Sequence, residues 1–273
     1  MDISRRLLIG GLAGMAAMRK AFAAGAEKPA AEGASAHEEL TAIEGMKMIG
    51  DETIAMLLYP GFTALDLIGP QYMFASLMGA KVLLVAKTLE PVVSDTGVGV
   101  VPTATFETCP KDLTVLFLPG GGQGTVHAMR DPETVAFVAD RGARAKYVTS
   151  VCTGSLLLGK AGLLRGKRAT SHWAAREVLA DFGARPVGER VVADGNVITG
   201  AGVTAGLDFA LSLVATLRGR GYAEALALQA EYAPAPPFAT GTPETSRPEI
   251  LGPMKGMFSP LVEEMRSAAK PQS

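Results

Sequence analysis

Four short apolar runs recur along the chain: "TIAMLLY" (53–59), "KVLLVAK" (81–87), "LTVLFLP" (113–119) and "KYVTSV" (146–151). None alternates strictly between polar and apolar residues, which suits strands buried on both faces. Between them lie stretches of helical character, "PQYMFASLMG", "PETVAFVADRGARA" and, after Cys152, "TGSLLLGKAG". Strands separated by helices return by crossovers, and crossovers make a sheet parallel with helices over both faces. The expected fold class is therefore α/β, a mostly parallel sheet flanked by helices.

Smaller features fill in the outline. "VVSDTGVGVVP" (92–102) reads as a small hairpin insert with Gly97 near its turn. "SHWAAREVLADFG" (171–183) reads as a helix closed by Gly183, and "TAGLDFALSLVATLRG" (204–219) as another. Asp194-Gly195 joins two β-branched runs, a strong hairpin signal. Residues 232–250 carry too many prolines for a helix or central strand and are expected to form an extended arm. The tail, 246–273, is expected to end in a loose helix.

A chain of 273 residues suits one large domain with tails. Its 48% of hydrophobic residues can build a sizeable core. Lysine plus arginine (26) nearly balances aspartate plus glutamate (27), which argues against nucleic acid and for a small-molecule partner. The first residues stand apart. Arg5-Arg6 precede a Gly/Ala-rich apolar run, and Ala21-Phe22-Ala23 is a small-x-small cleavage pattern. Residues 1–23 thus read as a twin-arginine signal peptide, its apolar run too short to span a membrane. The mature protein is expected in the periplasm with no stable membrane span. Residues 24–50 are expected to be a linker and 51–245 the domain. The two cysteines, Cys109 and Cys152, would meet an oxidising compartment, so a disulfide between them is the alternative to free thiols.

The chemistry gathers where strands end. Ligands of doubly wound sheets bind beyond the strands' carboxyl ends. Cys152 follows the strand 146–151, and Thr153-Gly154-Ser155 begins a helix. A sharp strand-to-helix turn projects its middle side chain, and a helix N-terminus lowers a thiol's pKa. Cys152 is expected to be an accessible, low-pKa nucleophile, against the alternative of a buried inert thiol. "LPGGGQG" (118–124) offers backbone N–H groups that, with the amide of Thr153, form an oxyanion-type hole. Asp66, among apolar residues, is a proton carrier or the far end of a Thr63-x-x-Asp66 capping box. Gly69-Pro70 reads as the true helix entry, which leaves Asp66 in a loop. His172 is a further candidate, able to activate sulfur. Three scattered histidines lack metal-ligand spacing, so no metal is expected.

These segments in this order, the Asp66 loop, "LPGG", "SVCTGSLLLGKAGLL", "ATSHW", "GNVITGAGVTAGLDFAL" and "QAEYAPAPPF", resemble the ThiJ/PfpI superfamily, and within it the isonitrile hydratase branch, from about Thr53 to Pro243. The resemblance implies a flavodoxin-like sandwich, usually dimeric, with Cys152 on a strained elbow. It implies Asp66 as acidic partner of the nucleophile, Thr153 as amide and hydroxyl donor and Gly121 as a backbone donor. Protease-like relatives carry histidine directly after the cysteine; Thr153 stands there instead, which favours the hydratase branch. The implied activity is cofactor-free hydration of an isocyanide to an N-substituted formamide through a thioimidate on Cys152. A cysteine hydrolase, a glyoxalase or deglycase, and a redox-sensing thiol protein are the alternatives. The export signal departs from the usual cytoplasmic pattern of this branch.

Overall fold

The computed structural model describes residues 35–270. The expected apolar runs form strands β1 (Thr53–Leu57), β2 (Lys81–Ala86), β6 (Val115–Leu118) and β7 (Tyr147–Val151). All four residues of β6 are buried, as are the last four of β1 and β7. That is why these segments lack alternation: helices cover both faces. Two-residue β5 (Ala104–Thr105) and the hairpin β10 (Val191–Asp194) and β11 (Val197–Gly200) complete a seven-stranded sheet in the order β10-β11-β7-β6-β1-β2-β5. Every pairing is parallel except β10 with β11, the hairpin closed by the two-residue turn Gly195-Asn196 after the expected Asp194. The insert also matches expectation, as antiparallel β3 (Val92–Val93) and β4 (Gly99–Val100) with Gly97 at φ 86°. A separate short ladder pairs β8 (Arg168–Ala169) with β9 (Arg185–Pro186).

The helices form two packed groups. One holds α2 (Ala64–Ala75), α6 (Ala205–Arg218) and α7 (Arg220–Gln229); the other holds α3 (Gln123–Arg130), α4 (Pro132–Gly142), α5 (Gly154–Lys160) and α8 (Pro248–Ala269). Phe74 of α2, Phe117 of β6 and Phe209 of α6 make a fully buried aromatic cluster, with ring centroids 5.6–6.2 Å apart. Such contacts add about 0.5–1.5 kcal/mol each to the gain from burial.

Three expectations need correction, and the disulfide alternative falls away. The segment taken as a linker contains α1 (Ala36–Thr41), opened by a reciprocal capping box: Glu38 N donates to Ser35 Oγ and Ser35 N to Glu38 Oε2. Its last residues are bonded into the domain, Lys47 N to Arg218 O and Gly50 N to Met78 O, so the domain starts before residue 51. Residues 171–183 form turns and a 3₁₀ helix (Arg176–Phe182) instead of an α-helix, though Gly183 closes it at φ 74°. Cys109 and Cys152 are both free and buried. The tail is no loose end: α8 runs 22 residues, with Met265 and Ala268 buried. Arg5, Arg6 and the cleavage pattern lie outside the described residues.

Candidate active site

Strands β7, β6 and β1 are consecutive neighbours. Adjacent strands lie about 4.8 Å apart, so whatever follows their carboxyl ends converges. Cys152 follows β7, Gly120 and Gly121 follow β6, and Asp66 lies in the first turn of the helix after β1.

Cys152 has φ 56°, a left-handed conformation that costs a non-glycine residue about 1–3 kcal/mol. Its surroundings over-determine it. Its N–H donates to Ala201 O (2.7 Å) and Gly200 O (3.1 Å), and its carbonyl accepts from Ser171 Oγ (2.9 Å) and Ser155 Oγ (3.1 Å). Directly behind, Gly154 has no room for a side chain: a Cβ would stand 2.5 Å from Leu118 O.

Asp66 is in a helix, not the expected loop, because α2 begins at Ala64 and carries Pro70 inside it. It is still no cap. Thr63 N, the group a capping box would satisfy, donates to Gly120 O (2.8 Å) instead. The cap comes from the inserted hairpin: Asp95 accepts from Thr63 Oγ1 (2.7 Å) and, at 3.4 Å, from Ala64 N. Sequence reasoning missed Asp95, which no local pattern links to α2. The Asp66 carboxyl, fully buried, accepts from Gly120 N (2.9 Å) through Oδ2, while Oδ1 has no hydrogen-bond partner among the described residues. The carboxyl and the Cys152 thiol flank Gly120 and perturb each other's ionisation.

Electrostatics follow from burial. Desolvation pushes Asp66 up to about 7, against the pull of the Gly120 N–H and the thiol. Burial also pushes the Cys152 thiol well above its ordinary value; the Asp66 charge adds to this and the Thr153 N–H opposes it. The accessible, low-pKa thiol expected from the helix N-terminus is thus corrected: Cys152 is 5% exposed, and a seven-residue helix end does not outweigh burial beside a carboxylate.

Thr153 and Gly121 are placed together, but their donors are spent on each other. Gly121 N–H donates to Thr153 Oγ1 (3.1 Å). Thr153 Oγ1 pairs with Thr125 Oγ1 (2.8 Å), which pairs with Tyr59 OH (3.1 Å), which donates to Pro119 O (2.7 Å). A carbonyl only accepts, so the direction of the whole chain is fixed: Tyr59 has given its one proton away, Thr125 donates to Tyr59, and Thr153 donates to Thr125. The Thr153 hydroxyl and the Gly121 N–H therefore have no proton left for a ligand in this state. The Thr153 N–H, directed at the sulfur, remains. His172 lines the same cavity, but its Nδ1 accepts from Ala174 N (3.4 Å) and burial lowers its pKa, and among the described residues it is not bonded to Cys152.

The cavity over Cys152 measures about 470 Å³. Thr63, Asp95 and Thr153 give it a polar side, and Val203, Phe258 and Leu261 an apolar one. A larger space of about 670 Å³ lies beside Tyr59, Val93 and His127 but contains neither the sulfur nor the buried carboxyl. Among the described residues no group of three or more His, Cys, Asp or Glu side chains could hold a metal, and no helix is long and apolar enough to cross a membrane.

A sequence model of the DJ-1/PfpI family matches residues 52–216. The chain belongs to the DJ-1/PfpI family. Within this family it is 50% identical over 218 residues to isonitrile hydratase of Pseudomonas putida, covering 80% of this chain and 90% of that protein. A ThiJ/PfpI family protein from Pseudomonas syringae superposes with a TM-score of 0.83 at 53% identity, over 90% of this chain and 99% of that one. A cysteine-to-alanine mutant of a DJ-1 superfamily protein from Salmonella typhimurium gives 0.60 at 30% identity, over 67% and 100%. The DJ-1/PfpI match covers β1 through most of α6, and so every residue of the Cys152–Asp66 centre; α8 lies beyond it.

Proposed function

We propose that the protein is an enzyme that hydrates an isocyanide to an N-substituted formamide. The observation that carries this is the buried Asp66 carboxyl, held near 7, facing the Cys152 sulfur. The 50% identity to a protein named isonitrile hydratase supports the choice of substrate.

In the productive state the pair holds one proton, on Asp66, with Cys152 as thiolate. The thiolate attacks the terminal isocyanide carbon, forming the C–S bond. Asp66 gives its proton to the carbanion that develops on that carbon, leaving a thioimidate. Water then adds to the C=N carbon; one of its protons goes to nitrogen and the other to Asp66. Collapse forms the carbonyl, breaks the C–S bond, and returns thiolate and carboxylic acid. The sum is isocyanide plus water to formamide, with no cofactor in the balance. The Thr153 N–H stabilises the thiolate before attack and after release. General acid–base help of this kind contributes about 100- to 10,000-fold.

The test is a panel of isocyanides, amides, peptides and methylglyoxal, with products identified by mass spectrometry. Formamide from an isocyanide, lost in Cys152→Ala, is the expected result. Consumption of methylglyoxal alone would make the protein a glyoxalase, and no turnover with reversible Cys152 oxidation would make it a thiol sensor.

Two further proposals concern its setting. Leu65, Ile68 and Tyr72 form an exposed apolar stripe along α2, which supports a homodimer; a monomer by light scattering would refute it. Arg5-Arg6 and Ala21-Phe22-Ala23 support twin-arginine export to the periplasm, and replacing both arginines with lysine should hold the precursor inside the cell.

A further inference from the structure

The cavity has one wall that does not come from the family's common domain. Phe258, Leu261, Val262 and Met265 line it, all from α8. Their spacing, i, i+3, i+4, i+7, is one stripe of a helix. Phe258 stands with its ring centroid 5.3 Å from that of His172 and 5.5 Å from that of Trp173, so the stripe ends in an aromatic corner.

The wall is held in place from several elements. Lys160 Nζ, at the end of α5, donates to Ala268 O and Lys270 O, both at 2.7 Å. Arg266 Nη1 bonds both carboxylate oxygens of Asp181 (3.0 and 2.8 Å), and Gln123 Nε2 donates to Glu264 Oε2 (2.9 Å). These bonds fix the rotation of α8 about its axis. Its apolar stripe consequently lines the cavity that also contains Cys152.

We infer that α8 is the specificity-determining element, and that the substrate carries a bulky apolar or aromatic substituent which lies against Phe258, Leu261 and Val262. The inference rests on Cys152 being the reacting group, as proposed above. An isocyanide, R–N≡C, is linear and reacts at its terminal carbon. With that carbon at the sulfur, R points away from Cys152 into the cavity, whose apolar lining comes mainly from α8. A short or polar R would leave that wall wet; a benzyl group would cover it.

The test uses two pairs of probes, so that isocyanide chemistry and wall selectivity fail separately. The first pair is benzyl against methyl isocyanide, read as kcat/KM. The second is N-benzylmaleimide against N-methylmaleimide, read as the rate of Cys152 alkylation by peptide mass spectrometry, which needs no turnover. The larger probe should win by about tenfold or more in each pair. Phe258→Ala should bring both ratios towards one, chiefly by slowing the benzyl probes. Val262→Phe, which fills the cavity, should invert the ratios, and far-ultraviolet circular dichroism of both variants checks the fold. Loss of the isocyanide pair with the maleimide ratio intact would refute the hydratase reading and leave the wall. Equal rates for large and small maleimides in the wild type, or ratios untouched by both variants, would overturn the inference about α8.

Discussion

Asp66 and Cys152 share a problem with two consequences for pH. Both groups are pushed up, so the pair loses its first proton near 7 and its second well above the ordinary thiol value. The state with one proton is the reactive one, because thiolate with carboxylic acid has the same proton count as thiol with carboxylate. Turnover of an isocyanide should therefore rise as pH increases through about 7 and hold into the alkaline range. Iodoacetamide labelling of Cys152 should show two inflections in the wild type and one in Asp66→Asn; a single inflection in both would show that the groups do not communicate. Asp66→Asn should also lower turnover by about 100-fold or more. The same burial is a stability statement. A carboxyl whose folded pKa is raised stabilises the fold fully below its unfolded value and loses that contribution as pH rises through about 7. The loss above neutrality is on the order of 4 kcal/mol. Melting curves of wild type and Asp66→Asn should coincide near pH 4 and separate towards pH 8, with the asparagine variant the more stable.

Asp66 is free for this work because another element caps its helix. Asp95→Ala removes the acceptor for Thr63 Oγ1 and Ala64 N and should cost about 1 kcal/mol, while Asp95→Asn should cost little because asparagine caps as well. Equal losses for both, in urea titrations, would mean that the charge matters and the cap does not. Gly120 shows how closely the elements meet: a Cβ there would lie 2.7 Å from Asp66 Oδ2 and from Thr153 N, and 2.8 Å from Cys152 Cβ. Gly120→Ala should cost about 1–3 kcal/mol in stability by overpacking and most of the activity, since the atoms in its way are the site itself. How much could be read in advance follows from how local each cause is. The strands were legible because burial on both faces leaves unbroken apolar runs. Cys152, Asp66 and the glycine turn were legible because each directly follows or soon follows such a run. The start of α2 was not, because its cap lies 31 residues away in sequence. α8 was legible only in part, as a loose helix at the end of the tail, whereas it starts at Pro248 and continues through Pro253 and Pro260. Pro260 has no N–H for Gly256 O, but Gly256 is exposed, so water can take that carbonyl and the helix continues.

The parallel order of the sheet could be anticipated from alternating runs, yet the bond that closes the chain on itself could not. Glu52, just before β1, and Arg218, the last residue of α6, are 166 positions apart and form an ion pair with side chains 5% and 0% exposed. Arg218 Nε donates to Glu52 Oε1 (2.8 Å), and its other nitrogens donate to Met48 O and Met78 O, both at 2.9 Å. One guanidinium thus ties the segment before the first strand, the turn after α2 and the end of α6. Removing only the acid leaves a buried cation without its counter-charge, which costs about 3–5 kcal/mol. Glu52→Gln keeps the shape and should lose that much; Glu52→Leu combined with Arg218→Met should recover only part, because the Met48 and Met78 carbonyls then lose their donor. The pH dependence has the opposite sign to that of Asp66. Burial alone would push Glu52 up, but the Arg218 hydrogen bond, its own backbone N–H and the charges of Arg218 and Lys47 together more than offset it, and the carboxyl lies below its ordinary value. Its contribution is present above the unfolded value and lost as pH falls through the folded one. Urea unfolding of wild type and Glu52→Gln should therefore differ most at pH 7 and converge in strong acid, where the wild-type glutamate is protonated and equally unable to pair with Arg218. A gap that stayed constant from pH 7 to pH 3 would mean that Glu52 holds the fold by packing and not by charge.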